Sequence, residues 1–311
     1  MRQSFSVEQY TKAKNKRTII AAFIIFVLIP ATILWAVSLG PQKTMLISIL
    51  ILIYVMVPFF FVYEKRKPRA REVVMIAVLS AMTCLGTLVS ASILPIQIGT
   101  AMVIITGISF GPEAGFLVGA LGRFVANFFQ SQGPWTPWQM FCWGILGFLA
   151  GLIFHKVDVE KVQERNFKVI MGPVICVVFA AIVAYISYLL FPGGDDTFLG
   201  WRLYIFGAVG LVLGFILQHK RLPVDDINLT LYTFFSVFII YGGIMNVCAM
   251  VTASMIPGAD GVSWETMKKL YISGVPFDAV HAIKAAIFMF FFGEKLIRKF
   301  ERIKIKYGFY R

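Results

Sequence analysis

Charged residues are scarce in this chain. Asp, Glu, Lys and Arg make up 14% of its 311 residues, hydrophobic residues make up 59%, and the mean hydropathy is +0.80. A soluble domain carries about 25% charged residues, so the composition excludes an ordinary water-soluble monomer. The apolar segments are long and continuous, without the two-residue alternation of strands, and therefore indicate membrane helices. The sequence predicts an all-α, polytopic membrane protein.

Motifs that carry enzyme chemistry are also missing. The chain has no GxxxxGK[ST] phosphate-binding loop, no HExxH or GxSxG segment and no paired-carboxylate signature. We therefore predict that it is not an enzyme and holds no cofactor and no metal ion. Four cysteines lie inside apolar segments without forming a CxxC pair, and we interpret them as buried free thiols. They are Cys84, Cys142, Cys176 and Cys248.

Ten apolar segments are interpreted as membrane-spanning helices. They cover residues 18–39, 44–63, 73–94, 99–111, 114–130, 137–155, 168–191, 202–218, 228–255 and 277–297. With ten crossings, both termini and the Lys/Arg-rich gaps fall on one side, which the positive-inside rule predicts to be cytoplasmic. The net charge of +13 is thus explained by topology rather than by nucleic-acid binding.

The chain divides into two predicted parts. Residues 1–70 are expected to form a two-helix membrane extension with a basic linker, and residues 71–311 a larger transmembrane domain. The first segment is longer than a signal-peptide core of about 7–15 residues, so we interpret it as a retained span. Two later helices share a GxxGxxxG pattern at a fixed offset, which either a duplication or close helix packing explains. The glycines are Gly144, Gly147, Gly151, Gly207, Gly210 and Gly214.

One group of polar residues lies near the predicted outer end of the span 114–130. Arg123 and Asn127 are four residues apart and share a helix face. The turn that follows is stiffened by two prolines and carries Trp135, Trp138 and Gln139. An interfacial aromatic belt also explains the tryptophans, and an internal ion pair or snorkelling explains Arg123. Together, on one external turn, these residues favour a substrate-binding wall.

A second group lies on the last two predicted helices. Asp278, His281 and Lys284 are spaced three apart, and Asn246 lies in the preceding helix. Asp278 is expected in the first turn of its helix, where the helix dipole stabilises a carboxylate. His281 lacks a second His or Cys for a metal site, and a proton relay and a contact to substrate or to Asn246 remain open. Asn246 is either a link between helices or a substrate ligand.

With these residues identified, the stretch from about residue 70 to 306 resembles the S components, the substrate-binding membrane subunits of energy-coupling-factor (ECF) vitamin transporters. It is most similar to their cobalamin-type branch. The resemblance is carried by five segments: Ala77 and Ala81 in AxxxA, Gly111-Pro-Glu-Ala-Gly115, Trp135-Thr-Pro-Trp-Gln139, Gly243-Ile-Met-Asn246 and Pro276-Phe-Asp-Ala-Val-His-Ala282.

The resemblance implies a subunit in the plasma membrane of a prokaryote that binds a vitamin at its outer face. Such a subunit has no ATPase and hands its cargo to a transmembrane coupling subunit carried by two ATPase subunits. The resemblance implies docking through Ala77 and Ala81, with a corrinoid such as cobalamin as the leading ligand. The implied pocket residues are Arg123, Asn127, Trp135, Trp138, Gln139, Asn246, Asp278 and His281.

The chain departs from the family pattern in its extra helices, two at the N-terminus and two within 168–218, and in Lys284, where a neutral residue is expected. The main alternative is a proton-coupled secondary transporter of a small organic solute, with Asp278 and His281 as the relay. An intramembrane enzyme acting on lipid is disfavoured because the sequence has no nucleophile or metal constellation.

Overall fold

The computed structural model describes residues 19–39, 49–51, 53–54, 70–92, 96–154, 167–191, 198–217, 222–256, 258 and 261–307. Within these ranges every regular element is a helix, which confirms the predicted all-α class. A single backbone bridge joins Phe154 to Leu222, where the chain leaves one helix and approaches another.

The helices of the described residues are numbered α1 to α9 in chain order. They are α1 (19–39), α2 (Ala70–Ser92), α3 (Ile98–Phe110), α4 (Pro112–Gln130), α5 (Thr136–Ile153), α6 (Phe167–Leu190), α7 (Trp201–Leu217), α8 (Asp226–Ala253) and α9 (Trp264–Lys306). Turns of π-helix interrupt α1, α8 and α9, at Ile24–Leu28, Ser236–Gly242 and Met289–Gly293.

Among the described residues, four helices are long and apolar enough to cross a membrane, namely α5, α8, α9 and most of α2. Shorter apolar helices occur in α1, α3, α6 and α7. The chain is thus a helical membrane protein, while the count of ten crossings and the side on which the termini lie stay predictions. The predicted span 44–63 lies outside the described residues except for 49–51 and 53–54.

The boundary between the predicted spans 99–111 and 114–130 is confirmed. Helix α3 ends at Phe110, and Gly111 then adopts a φ of 102°, a conformation that side-chain-bearing residues rarely adopt. Pro112 follows at the first turn of α4, where its missing N–H costs no hydrogen bond. The reversal places α4 directly beside α3.

The last predicted span, 277–297, is only part of a longer helix, because α9 already begins at Trp264. The hydroxyl of Ser263 accepts a hydrogen bond from the backbone N–H of Thr266 at 3.1 Å and caps the helix. A proline normally interrupts a helix, but Pro276 lies inside α9. Asp278 is consequently far from the helix start, and its predicted place in the first turn is wrong.

Close contacts between glycines hold α3, α4 and α5 together. A Cβ on Gly147 would lie 2.6 Å from the backbone oxygen of Gly115, and a Cβ on Gly115 would lie 2.6 Å from the Cα of Gly107. The second GxxGxxxG pattern packs in the same way, since a Cβ on Gly210 would lie 2.8 Å from the backbone oxygen of Cys176 on α6. Close packing therefore accounts for glycines in both patterns.

Helices α8 and α9 form an antiparallel hairpin against which α7 packs. The Tyr271 hydroxyl donates a hydrogen bond to the Gly243 carbonyl at 2.9 Å. The ring centroids of Tyr204 and Tyr271 are 4.6 Å apart, which ties α7 to α9. At the other side of the bundle α1 contacts α5, with the rings of Phe26 and Phe148 edge to face at 6.1 Å.

Candidate functional site

A half-open cavity of about 300 Å³ lies between two walls. One wall comes from α2, α4, α5 and the residues before α3, and the other from the α8–α9 hairpin. The lining residues are Thr87, Ala91, Gln97, Arg123, Gln130, Trp143, Tyr241, Phe277, Val280, His281 and Lys284. Of the predicted site residues, Arg123 and His281 line this cavity.

Arg123 is held in place by neutral groups. Its Nε donates a hydrogen bond to Gln139 Oε1 at 2.9 Å, and its Nη1 donates to Gln130 Oε1 at 3.0 Å. Its guanidinium carbon lies 5.2 Å from the centroid of the Trp143 ring, a cation–π distance. The side chain is therefore fixed in orientation while its positive charge stays uncompensated by these partners.

Asn127 does not line the cavity, but it holds Gln139, the side chain that contacts Arg123. Its Nδ2 donates to Gln139 Oε1 at 2.8 Å and to Thr136 Oγ1 at 3.1 Å. The Thr136 hydroxyl in turn donates to Gln132 Oε1 at 2.9 Å and accepts from the Gly133 N–H at 3.1 Å. The turn between α4 and α5 is thus a closed hydrogen-bond network that positions Gln139, and Gln139 positions Arg123.

The two predicted tryptophans do not line the cavity. Trp138 is buried in an apolar cluster with Phe116 and Phe148, and Trp135 is 38% exposed with its ring against Gly133. Trp143 supplies the aromatic surface instead. It lies four residues after Gln139 and so shares the helix face that points to Arg123, a spacing that the sequence already contained.

His281 anchors the second wall to the first. Its Nε2 lies 3.0 Å from Thr100 Oγ1 on α3, and its ring meets the Tyr241 ring edge to face at 4.6 Å. The Gln97 N–H donates to the Lys284 carbonyl at 3.3 Å. Tyr241 lies in the π-helical segment of α8, and such segments are frequent at functional sites.

Asp278 and Asn246 form a separate buried cluster that does not line the cavity. Asp278 Oδ2 accepts hydrogen bonds from Asn246 Nδ2 at 2.9 Å and from the Tyr204 hydroxyl. A Cβ on Gly242 would lie 2.5 Å from the same carboxylate oxygen. This cluster joins α7, α8 and α9, so the polar partner of Asn246 is Asp278 rather than His281.

Several cavity residues were not predicted from the sequence. Thr87 is one of several hydroxyl-bearing residues in an otherwise apolar helix, and Gln97 interrupts an apolar run, so both carried a weak polar signal. Tyr241 and Phe277 had no such signal, because an aromatic residue in a membrane helix is ordinary. Their placement follows from the pairing of α8 with α9, which the sequence does not reveal.

Ala77 and Ala81 are both exposed on α2. Val73, Val74 and Val78 are exposed on the same helix, so this stretch presents an apolar surface with two small residues. Thr87 and Ala91, nearer the end of α2, line the cavity. One helix therefore contributes to the cavity and carries a separate free surface.

The cysteines of the described part of the chain are free thiols; Cys84, Cys142 and Cys248 are buried and Cys176 is half-buried. Among the described residues no group of three or more His, Cys, Asp or Glu side chains could hold a metal ion.

Comparison with known proteins gives one matching family model. It describes the S component of an ECF-type riboflavin transporter and matches residues 67–195. This stretch contains α2 to α6 and supplies the first wall of the cavity. No solved structure matches the chain significantly.

Relatives are found among bacterial UPF0397 proteins. One from Aliivibrio salmonicida is 30% identical over 145 residues, which is 43% of this chain and 72% of the relative. One from Lacticaseibacillus casei is 41% identical over 51 residues, 16% of this chain and 27% of the relative. One from Vibrio atlanticus is 34% identical over 101 residues, 30% of this chain and 54% of the relative.

Proposed function

Because the chain belongs to the family of S components of ECF transporters, we propose that it is the substrate-specific membrane subunit of an ECF-type importer. In this role it binds a vitamin-class solute in the cavity and passes it to an ATPase-coupled module. The observation that carries the proposal is the half-open cavity between Arg123 and His281, lined by polar and aromatic side chains. Ligand sites combine an aromatic lining with a few placed polar groups in this way.

The proposed orientation places the cavity at the outer face of a prokaryotic plasma membrane, with both termini in the cytoplasm. The basic residues of the C-terminal part of α9 support it, since Lys and Arg are enriched on the cytoplasmic side. Arg298 pairs with Glu294 at 2.7 Å and Lys304 with Glu301 at 2.5 Å, and this end has four further cations, Lys295, Lys299, Arg302 and Lys306.

The protein is proposed to lack enzymatic activity and to draw on ATP hydrolysis by two partner ATPase subunits. Contact with the transmembrane coupling subunit is proposed at the α2 surface of Ala77 and Ala81. Small residues four apart allow a partner helix to approach closely. The exposure of both alanines on an apolar surface supports this assignment.

The identity of the vitamin is proposed more narrowly from the cavity. Cobalamin is the ligand of the branch that the sequence resembles, and riboflavin is named by the matching family model. A volume of about 300 Å³ lies at the lower end of sites for drug-sized ligands, about 300–1,000 Å³. It suits a ring system of flavin size better than a corrinoid, which would need the walls to separate.

Binding tests the proposal directly. The purified protein is titrated with cobalamin and with riboflavin, and a vitamin of this class is expected to bind below micromolar. Docking is tested independently by pulldown with a coupling subunit: Ala81→Trp should abolish capture, because the ring blocks close approach, and should retain ligand affinity. Ala208→Trp, which puts the same ring at an exposed alanine of α7, is the matched control and should keep capture.

Transport without partners separates this proposal from a proton-coupled transporter. In proteoliposomes lacking ATPase subunits, uptake that follows a pH gradient would contradict the S-component assignment. The geometry gives the relay little support, since Asp278 bonds to Tyr204 and Asn246 while His281 meets Thr100 and Tyr241.

A further inference from the structure

We propose that the solute held by this cavity is an anion, with a carboxylate or phosphate bound between Arg123 and Lys284. Its ring system then lies against Trp143 and Tyr241. This inference deepens the proposed substrate-binding function and rests on it.

The cavity lining has cations but no acidic side chain. Arg123 projects from α4 and Lys284 from α9, so the two positive groups face one space from opposite walls. The other polar lining groups are neutral hydroxyls, amides and the imidazole of His281. A site of this composition repels cationic solutes and has no charged partner for them.

Neither cation is neutralised by the part of the protein that the structure describes. Arg123 contacts Gln139, Gln130 and the Trp143 ring, all of them uncharged. No ion pair involves Arg123 or Lys284 among the described side chains. The carboxylate of Asp278, on the same helix as Lys284, is engaged by Tyr204 and Asn246 and does not line the cavity.

Uncompensated charge is costly on half-buried side chains such as Arg123 and Lys284, because water screens it less than at a free surface. An anionic ligand compensates the positive charge of both Arg123 and Lys284 and so offsets the unfavourable free energy of leaving them unpaired. A neutral ligand leaves it in place, so the cavity discriminates between the two by charge before any contact with the rest of the ligand.

The remaining donors suit an oxyanion. Gln139 and Gln130 occupy Nε and Nη1 of Arg123, which leaves Nη2 for the ligand. A guanidinium presents five N–H donors in a rigid plane, and a lysine ammonium presents three rotatable ones. The fixed fork on one side and the mobile ammonium on the other can hold a planar carboxylate or a tetrahedral phosphate.

Matched pairs of probes test the charge preference. The wild-type protein is placed in phosphatidylcholine nanodiscs. Calorimetry compares its binding of FMN with that of riboflavin. Ligand-observed NMR compares benzoate with benzamide, and phenyl phosphate with phenol. FMN is expected to bind at least about tenfold more tightly than riboflavin, or benzoate and phenyl phosphate each at least about tenfold more tightly than their neutral counterparts. The reason is that hydrogen bonds to charged groups are stronger. The flavin and phenyl phosphate arms report a phosphate, and the benzoate arm a carboxylate.

Substitutions assign the preference to the two cations. Arg123→Gln and Lys284→Gln should each bring the ratio of anionic to neutral affinity towards one, whereas Lys284→Arg should retain it. Lys295→Gln, which removes an exposed lysine eleven residues further along α9, is the matched control and should keep the wild-type ratio. Lys284→Arg also guards against misfolding, since it preserves charge and length.

Several results overturn the inference: equal or tighter binding of the neutral members, no binding of any probe, or a preference that survives both Gln substitutions. Loss of solute binding in phosphatidylglycerol nanodiscs alone would assign the two cations to a lipid headgroup and overturn it as well. The pulldown with a coupling subunit needs no ligand, so a chain that docks normally but prefers neutral solutes refutes this inference and not the proposed function.

Discussion

Asn246 on α8 donates a hydrogen bond to Asp278 on α9, with 2.9 Å between Nδ2 and Oδ2. The Tyr204 hydroxyl of α7 donates to the same oxygen, so one buried carboxylate links three helices. The link holds α9 in place against α7 and α8, and α9 is the helix that carries His281 and Lys284. Its strength therefore decides how firmly the second wall of the cavity is held.

This link predicts a coupled loss of stability. Asp278→Ala leaves two buried donors without an acceptor and should lower the free energy of unfolding by about 1–3 kcal/mol. Tyr204→Phe should cost less, because Asn246 still satisfies the carboxylate. Denaturant titration in detergent of the two variants and of the double variant should give a coupling of about 0.5–3 kcal/mol. Tyr185→Phe, at an exposed tyrosine of α6, is the control, and additive losses would contradict the link.

The glycine contacts predict a steric effect. Gly107→Ala places a Cβ onto the backbone oxygen of Gly147 and should destabilise the α3–α5 contact by about 1–3 kcal/mol, since backbone cannot move aside cheaply. At Gly243 the same substitution meets only the Tyr204 ring at 3.6 Å and should be tolerated. Thermal unfolding followed by tryptophan fluorescence compares the two, and equal melting temperatures would refute the packing argument.

A substitution at Gln139 should raise thermal stability while it weakens the binding of anions. Gln139→Glu puts a carboxylate where Oε1 now lies 2.9 Å from Arg123 Nε, so it should raise thermal stability by supplying the missing counterion. The same change should weaken binding of FMN or benzoate, because Arg123 is then already paired. Gln139→Leu removes the acceptor without adding charge and should lower stability instead. If Gln139→Glu lowers stability as well, Arg123 already has a counterion.

Thiol labelling tests the orientation. Ser131 and Lys306 are exposed at opposite ends of the described bundle, beyond α4 and at the end of α9. A membrane-impermeant maleimide should label Ser131→Cys in intact cells and Lys306→Cys only after permeabilisation. The unmodified chain is the control, since three of its cysteines are buried and Cys176 is half-buried. Labelling of Lys306→Cys in intact cells, with Ser131→Cys labelled only after permeabilisation, would place the cavity at the cytoplasmic face.

The sequence predicted the helical class and most helix positions, because membrane helices need long apolar runs and the runs are unambiguous. It also indicated the break at Gly111, where glycine and proline leave the backbone few choices. It failed at Pro276, which suggested a helix start although α9 passes through it. Local chemistry favoured a boundary there, and contacts with α7 and α8 outweigh it.

The site was predictable only where polarity was locally unusual. Arg123 and His281 stood out as charged or titratable groups in apolar helices, and both line the cavity. Trp135 and Trp138 also stood out, yet neither lines the cavity, and Trp143 of α5 supplies the aromatic surface there. Which face of a helix is turned to a cavity depends on the rotation set by its neighbours, and the contacts of Gly115, Gly147 and their partners fix that rotation here.

The two walls of the cavity come from stretches of chain with different relationships to known proteins. Arg123 and Trp143 fall within the part that the family model covers, while Tyr241, Phe277 and Lys284 lie beyond it. Under the proposed function, substitutions in the C-terminal hairpin would change which solute binds. They would leave the apolar surface around Ala77 on α2 unchanged, so proteins that bind different solutes could dock on the same coupling subunit.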